Sequence, residues 1–427
     1  LLKYHDHTLQ LMIIFYYLLL VQVLICLKTM KKEVLHLSMR FRILLSDFIK
    51  RNILISESKG IDHTLVICFV ALLSIGLIMI TSATLDYALQ ETSNPYHFIT
   101  KHLIYLSMGI IISVIISKIK LSFYYDYGKY FLLLSFIISL IIFIPGLGKE
   151  INGAKRWLDL GFITIQVSEV SRLFVMFWIS GFIVKHDVNK SFNKCLLMII
   201  LLSIVILYQK DFGSTTLLVF TFFSLMLVSG LYLKTLLSYV SLAVFLAIPL
   251  ILYVPYRFKR VISFMNPWDD QSGSGYQLIA SLLAFGKGGI LGLGLGSSVQ
   301  KLDYLPESYN DFIFALIAEE LGLLFSLIVL ALFGIIFFRI IRLANKSNDN
   351  NLKFAANLSF TLGFFITYQA LIHIMVNTGL APTKGMGLPF ISYGGTNLLM
   401  MFIFIGLLTR IQIENRQKIS HAVKRGY

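Results

Sequence analysis

Charge is scarce in this chain: of 427 residues only 14% are Asp, Glu, Lys or Arg, while 57% are hydrophobic and the mean hydropathy is +0.79. A soluble domain carries roughly one-quarter charged residues, so a water-soluble globule is excluded. Cysteine is scarcer still. Cys26, Cys68 and Cys195 are odd in number, sit in apolar stretches and lack metal-ligand spacing, which argues against a disulfide framework or a zinc site. The nine histidines show no paired spacing. The run Gly292-x-Gly-x-Gly296 follows no strand and lacks the dinucleotide spacing, so a nucleotide fingerprint is rejected and close backbone approach to a helix or lipid is expected instead.

What is present is a series of apolar runs near the ~20 residues needed to cross a bilayer as helix. The expected fold is an all-α, polytopic membrane protein with about ten spans, at 64–84, 98–117, 127–146, 168–184, 195–208, 212–230, 235–255, 311–338, 354–375 and 396–411. Connections at 118–129, 185–194 and 339–353 and the tail 413–427 are basic, which places them in the cytoplasm. Topology therefore accounts for most of the net charge of +15, and nucleic acid is not an expected partner. Residues 1–60 form an N-terminal extension ahead of the core 61–412, with an additional apolar segment Leu9–Leu27 whose lysines follow rather than precede it, unlike a cleavable signal. A start at Met39 would leave residues 1–38 outside the working protein.

Basic residues on the expected outer side defy the topological bias and need another reason. Arg156 precedes Trp157, Arg257 and Arg260 precede Asn266-Pro-Trp268, Lys287 follows a short amphipathic or re-entrant stretch, Tyr276–Phe285, that contains Gln277, and Lys384 lies in Pro382-Thr-Lys-Gly-Met-Gly-Leu-Pro389. Basic groups beside interfacial aromatics suit an anionic lipid headgroup, a pyrophosphate in particular. The outer loop 256–310, between spans seven and eight, is long enough to imply a function.

Acids at the membrane are functional candidates by default. Glu169 and Arg172 are three apart on one helical face, which fits either an ion pair or substrate contact. Asp211 opens a span and fits an N-cap. Glu319 and Glu320 are expected to pair with neighbouring helices. Asp311 stands at the mouth of span eight, where a helix N-terminus favours an ionised carboxylate able to accept a proton; the alternative is that it merely caps the helix.

The stretch Gln300-Lys-Leu-x-Tyr-Leu-Pro-Glu-x-x-x-Asp-Phe-Ile-Phe-Ala-x-x-x-Glu-Glu-Leu-Gly322 resembles the signature of the SEDS (shape, elongation, division, sporulation) family, most of all its cell-division branch. Gln166-x-Ser-Glu169, Asp211-x-Gly213, Gly273-Ser-Gly-Tyr-Gln277, Pro382-Thr-Lys-Gly385 and Leu388-Pro-x-Ile-Ser-Tyr-Gly-Gly395 follow in the family's order, over about residues 60 to 415. The resemblance implies a peptidoglycan glycosyltransferase of the bacterial inner membrane that polymerises lipid II at the outer face, with Asp311 as general base. It implies substrate contacts from Arg156, Glu169, Arg172, Asp211, Arg257, Arg260, Gln277, Lys287, Gln300, Lys384 and Ser392. It also implies a class B penicillin-binding transpeptidase and other division proteins as partners, and leaves a divalent cation (Mg or Mn) open. A lipid II flippase and a division scaffold are the competing functions. The family's His-Thr before the catalytic acid is Tyr309-Asn310 here, and its Lys near Arg172 is that Arg; the first change is the one most able to reorient Asp311.

Overall fold

The computed structural model describes residues 61–424 apart from 152, 160, 162, 163 and 302–304; Leu9–Leu27, Met39 and Asp303 lie outside the described residues. In chain order come α1 (His63–Thr92), α2 (His97–Lys118), α3 (Leu121–Asp126), α4 (Gly128–Ile141), β1 (Gly148–Ile151), β2 (Ala154–Asp159), β3 (Thr164–Gln166), α5 (Val167–Lys185), α6 (Val188–Tyr208), α7 (Phe212–Val228) and α8 (Leu233–Leu252). These are followed by α9 (Pro255–Met265), α10 (Tyr276–Gly288), α11 (Ile313–Asp349), α12 (Lys353–Asn377) and α13 (Gly395–Lys424). Each of the ten expected spans contains one apolar helix. Seven (α1, α2, α5, α6, α11, α12 and α13) are long and apolar enough to cross a membrane; α4, α7 and the 233–246 part of α8 are shorter apolar helical stretches.

Aspartates start several of these helices by the usual chemistry, a side-chain oxygen accepting an otherwise unpaired N–H. Asp62 accepts from Leu65, Asp187 from Lys190 and Asp211 from Ser214. The central packing joins α1, α11, α12 and α13 around Leu72, Ile317, Ile336, Leu362 and Leu407, all at most 1% exposed. At the end of the bundle away from the site, Asp62 binds Arg339 at 2.6 Å and its N–H donates to Gln412, tying the start of α1 to α11 and α13.

Two features depart from the sequence expectation. The first is a small antiparallel sheet, β1-β2-β3, where only a loop is expected. Its last strand pairs Trp157 with Gln166 and runs directly into α5, so Arg156 is carried on a strand rather than a flexible connection. Three short strands are not legible as spans because they bury too little apolar surface to show a long alternation.

The second is a break in α11, expected as one continuous span. Gly322 has φ 80 and ψ −178, a region open essentially to glycine alone. The glycine-rich segment after α10 enters the gap. Leu293 and Gly294 donate N–H to the carbonyls of Glu319 and Glu320, and Leu323 and Leu324 donate to the carbonyls of Gly289 and Ile290. Irregular backbone is tolerated in apolar surroundings only where its polar groups are paired in this way. A Cβ on Gly322 would also collide with Gly292 N and Ile290 O. Gly322→Ala is therefore expected to destabilise the protein by at least about 2 kcal/mol, read as a lowered midpoint of thermal unfolding in detergent; an unchanged midpoint would show that the break relaxes without strain.

Candidate active site

The site is built around the loop that joins α12 to α13. On one side, Asp211 at the start of α7 binds Lys384 Nζ at 3.5 Å and accepts hydrogen bonds from Ser168 Oγ (3.0 Å), Ser214 Oγ (2.6 Å) and Gln166 Nε2 (3.2 Å). On the other, Asp311 lies two residues before α11 and faces Gly385. The loop can thread this gap because the residues at its two narrowest points are glycines: a Cβ on Gly213 would strike the Lys384 stem, and one on Gly385 would strike the Asp311 carboxylate. Arg260 on α9 donates to Thr383 O at 2.7 Å, and Arg156 on β2 donates to Lys210 O at 2.6 Å.

From α12, Gln369 Nε2 donates to Gly387 O at 2.9 Å, and His373 Nδ1 lies 2.6 Å from Met386 O. From α13, Thr396 hydrogen-bonds the backbone of Thr164 and Gln166, so the sheet and the loop are held together.

The electrostatics separate the two aspartates. Burial opposes charge on Asp211, but Lys384, Arg156, Ser214 and Arg172 more than offset it and hold the carboxyl below the usual range. Asp311 is pushed up to about 7, first by burial and second by the neighbouring Glu307, with Lys384, Arg260 and Arg156 opposing. Among the described residues nothing donates a hydrogen bond to its carboxylate. α11 takes no side-chain cap from its own N-cap residue, Phe312. An acid poised near neutral pH and unbonded is suited to proton abstraction.

The remaining candidates divide. Glu169 and Arg172 form an ion pair at 3.9 Å beneath Asp211, with Arg172 over the Phe365 ring. Gln300 is buried away from this cluster, its N–H donating to Glu319 at 3.4 Å. Gln277 and Lys287 lie on α10, and Lys287 is exposed at its end. Arg257 is on α9, its side chain outside what is described. Ser392 is buried, its hydroxyl accepting from Leu388 N and donating to Asn310 O at 2.7 Å, so it braces the loop against the turn before Asp311. Glu320 pairs with a neighbouring helix as expected, through Ser82 of α1, and also with Lys301, whereas Glu319 pairs with Ser298 and Val299 of the loop after α10 rather than with a helix.

Tyr309 does not point at the Asp311 carboxylate. Its ring packs among Tyr87, Phe98 and Tyr393 at 5.5 to 5.8 Å, so the departure from the family pattern is absorbed by an aromatic cluster between α1, α2 and the loop. Sequence reasoning missed Asn377, His373 and Gln369. Their spacing of four on an otherwise apolar helix, a polar stripe along one face, was the available signal. Among the described residues no group of three or more His, Cys, Asp or Glu converges to hold a metal.

The polytopic helical bundle sets a half-buried carboxylate against three basic side chains, the arrangement of a membrane protein suited to acid–base chemistry beside an anion. The chain belongs to the FtsW/RodA/SpoVE family, described as cell cycle protein, whose pattern matches residues 62–417. It is 38% identical over 362 residues to the probable peptidoglycan glycosyltransferase FtsW of Coxiella burnetii, covering 84% of this chain and 97% of that one. It is 36% identical over 370 residues to the protein of that name from Escherichia coli O157:H7, covering 86% and 89%. Among solved structures, it is similar to one described as "Structural coordination of polymerization and crosslinking by a peptidoglycan synthase complex" (TM-score 0.67, 21% identity, 83% of this chain and 98% of that one). It is also similar to the rod shape determining protein RodA of Thermus thermophilus (TM-score 0.62, 18% identity, 83% and 97%).

Proposed function

We propose that this protein is a peptidoglycan glycosyltransferase that polymerises lipid II, the undecaprenyl-pyrophosphate-linked disaccharide pentapeptide, during septal wall synthesis. The site faces the outer side of the bacterial inner membrane. The observation that carries the reading is the Asp311 carboxylate, raised to about 7 and without a hydrogen bond from any of the described residues, beside Lys384, Arg260 and Arg156. In the reaction Asp311 takes the proton from the acceptor sugar hydroxyl as its oxygen attacks the donor's anomeric carbon; the bond from that carbon to pyrophosphate breaks with its electron pair on the leaving oxygen. The basic side chains stabilise the departing negative charge. The names of the relatives support the reaction class. The partner reading, a class B penicillin-binding transpeptidase with other division proteins, draws support from the synthase complex to which the fold is similar.

The test is polymerisation of labelled lipid II by the purified protein with its transpeptidase, followed across pH. A base must be deprotonated to act, so a site acid raised to about 7 predicts a rate that is low in acid and rises through pH 7 to a plateau. A rate already flat between pH 5 and 8 would remove Asp311 as the titrating base. Flipping of lipid II across liposomes without glycan product would favour the transport reading instead.

A further inference from the structure

A buried helix start needs a cap, and in α11 that cap comes from another helix. Asn377, the last residue of α12 and fully buried, places Oδ1 3.1 Å from Ala315 N, the third N–H of α11 and a position that an N-cap side chain ordinarily serves. The same N–H is shared with Phe312 O at 3.0 Å. Asn377 Nδ2 donates to Asp311 O at 3.1 Å and to His373 O at 2.8 Å, while its own carbonyl accepts from Ser281 of α10 at 2.7 Å. Three successive carbonyls of the turn are thus each held from the α12 side: Tyr309 O by Tyr393 N, Asn310 O by Ser392 and Asp311 O by Asn377.

We propose that Asn377 is a positioning residue that caps α11 from α12 and so frees the Asp311 carboxylate from capping its own helix. This deepens the proposed function and rests on Asp311 being its base. An aspartate at a helix start is ordinarily drawn to the N–H groups there, which stabilise the carboxylate and weaken it as a base. With that role filled by a neutral amide, Asp311 responds to the groups facing it: Glu307 on its own turn, Lys384 on the loop, Arg260 on α9 and Arg156 on β2. His373, on α12 one turn from Asn377, is buried and directed to Met386 O.

The test is the rate–pH profile of lipid II polymerisation in Asn377→Ala and in Asn377→Leu, which is close in size to asparagine and unable to accept, so that failure of the smaller variant to fold leaves the test standing. Asn377→Asp, which retains an acceptor for Ala315, is the control. Loss of the cap is expected to move the midpoint of the acidic limb down by about one pH unit and to lower the plateau rate about tenfold, with the Asp variant staying at or above the wild-type midpoint. A lower rate with an unmoved midpoint in both cap-less variants would overturn the proposal while Asp311→Asn remained inactive. An active Asp311→Asn would remove the base assignment and this proposal together.

Discussion

Asp311→Asn is expected to leave a folded protein that binds lipid II and makes almost no glycan. The amide is the same size, and among the described residues no hydrogen bond to the wild-type carboxylate is there to be lost, so the fold has no reason to respond. Removing a positioned general base lowers a rate by about 10²- to 10⁴-fold, and the residual activity should lose its rise through pH 7. Gel analysis of labelled product at matched protein concentration reads the effect. Product within tenfold of wild type would end the general-base assignment and turn attention to Glu307, the other carboxylate on the same turn.

Lys384→Gln is expected to affect stability and activity by separate routes. Lys384 is the salt-bridge partner of Asp211, which is 4% exposed in its side chain. Removing one member of a buried pair leaves an uncompensated charge at a cost of about 3–5 kcal/mol. Because the lysine is 22% exposed and serine hydroxyls remain on the aspartate, about 2 kcal/mol is the discounted expectation. Adding Asp211→Asn should recover most of that stability. It should not recover polymerisation, since the cation facing the leaving pyrophosphate is still missing. Full recovery of activity in the double variant would mean that Lys384 serves only to hold Asp211.

Part of this was readable without coordinates. The ten apolar stretches each contain a helix because the length requirement of a bilayer is a one-dimensional property. The Glu169–Arg172 pair was readable from a spacing of three, as was the capping role of Asp211 from its place before an apolar run. The break at Gly322 was not readable, because a single glycine in a helical pattern does not by itself interrupt it and the reason for the break is a loop from about thirty residues upstream that supplies the missing hydrogen bonds. Nor could spacing show what serves the start of α11: Asn377, which accepts from Ala315 N and donates to Asp311 O, is 66 positions from Asp311.

The sequence by itself determined that this is a membrane protein, which segments form its long apolar helices, and that an acid at residue 311 and basic residues at 156 and 384 follow one family's pattern. Those properties depend on composition, local periodicity and residue order. Only the tertiary structure decided that the three basic groups face that acid, that Ser392 and Asn377 hold its turn, and that the Gln300 N–H is directed to Glu319. Proton affinity and alignment are set by burial and by partners contributed from α7, α9, α12 and β2, and the distance between such groups in space is not encoded in their distance along the chain.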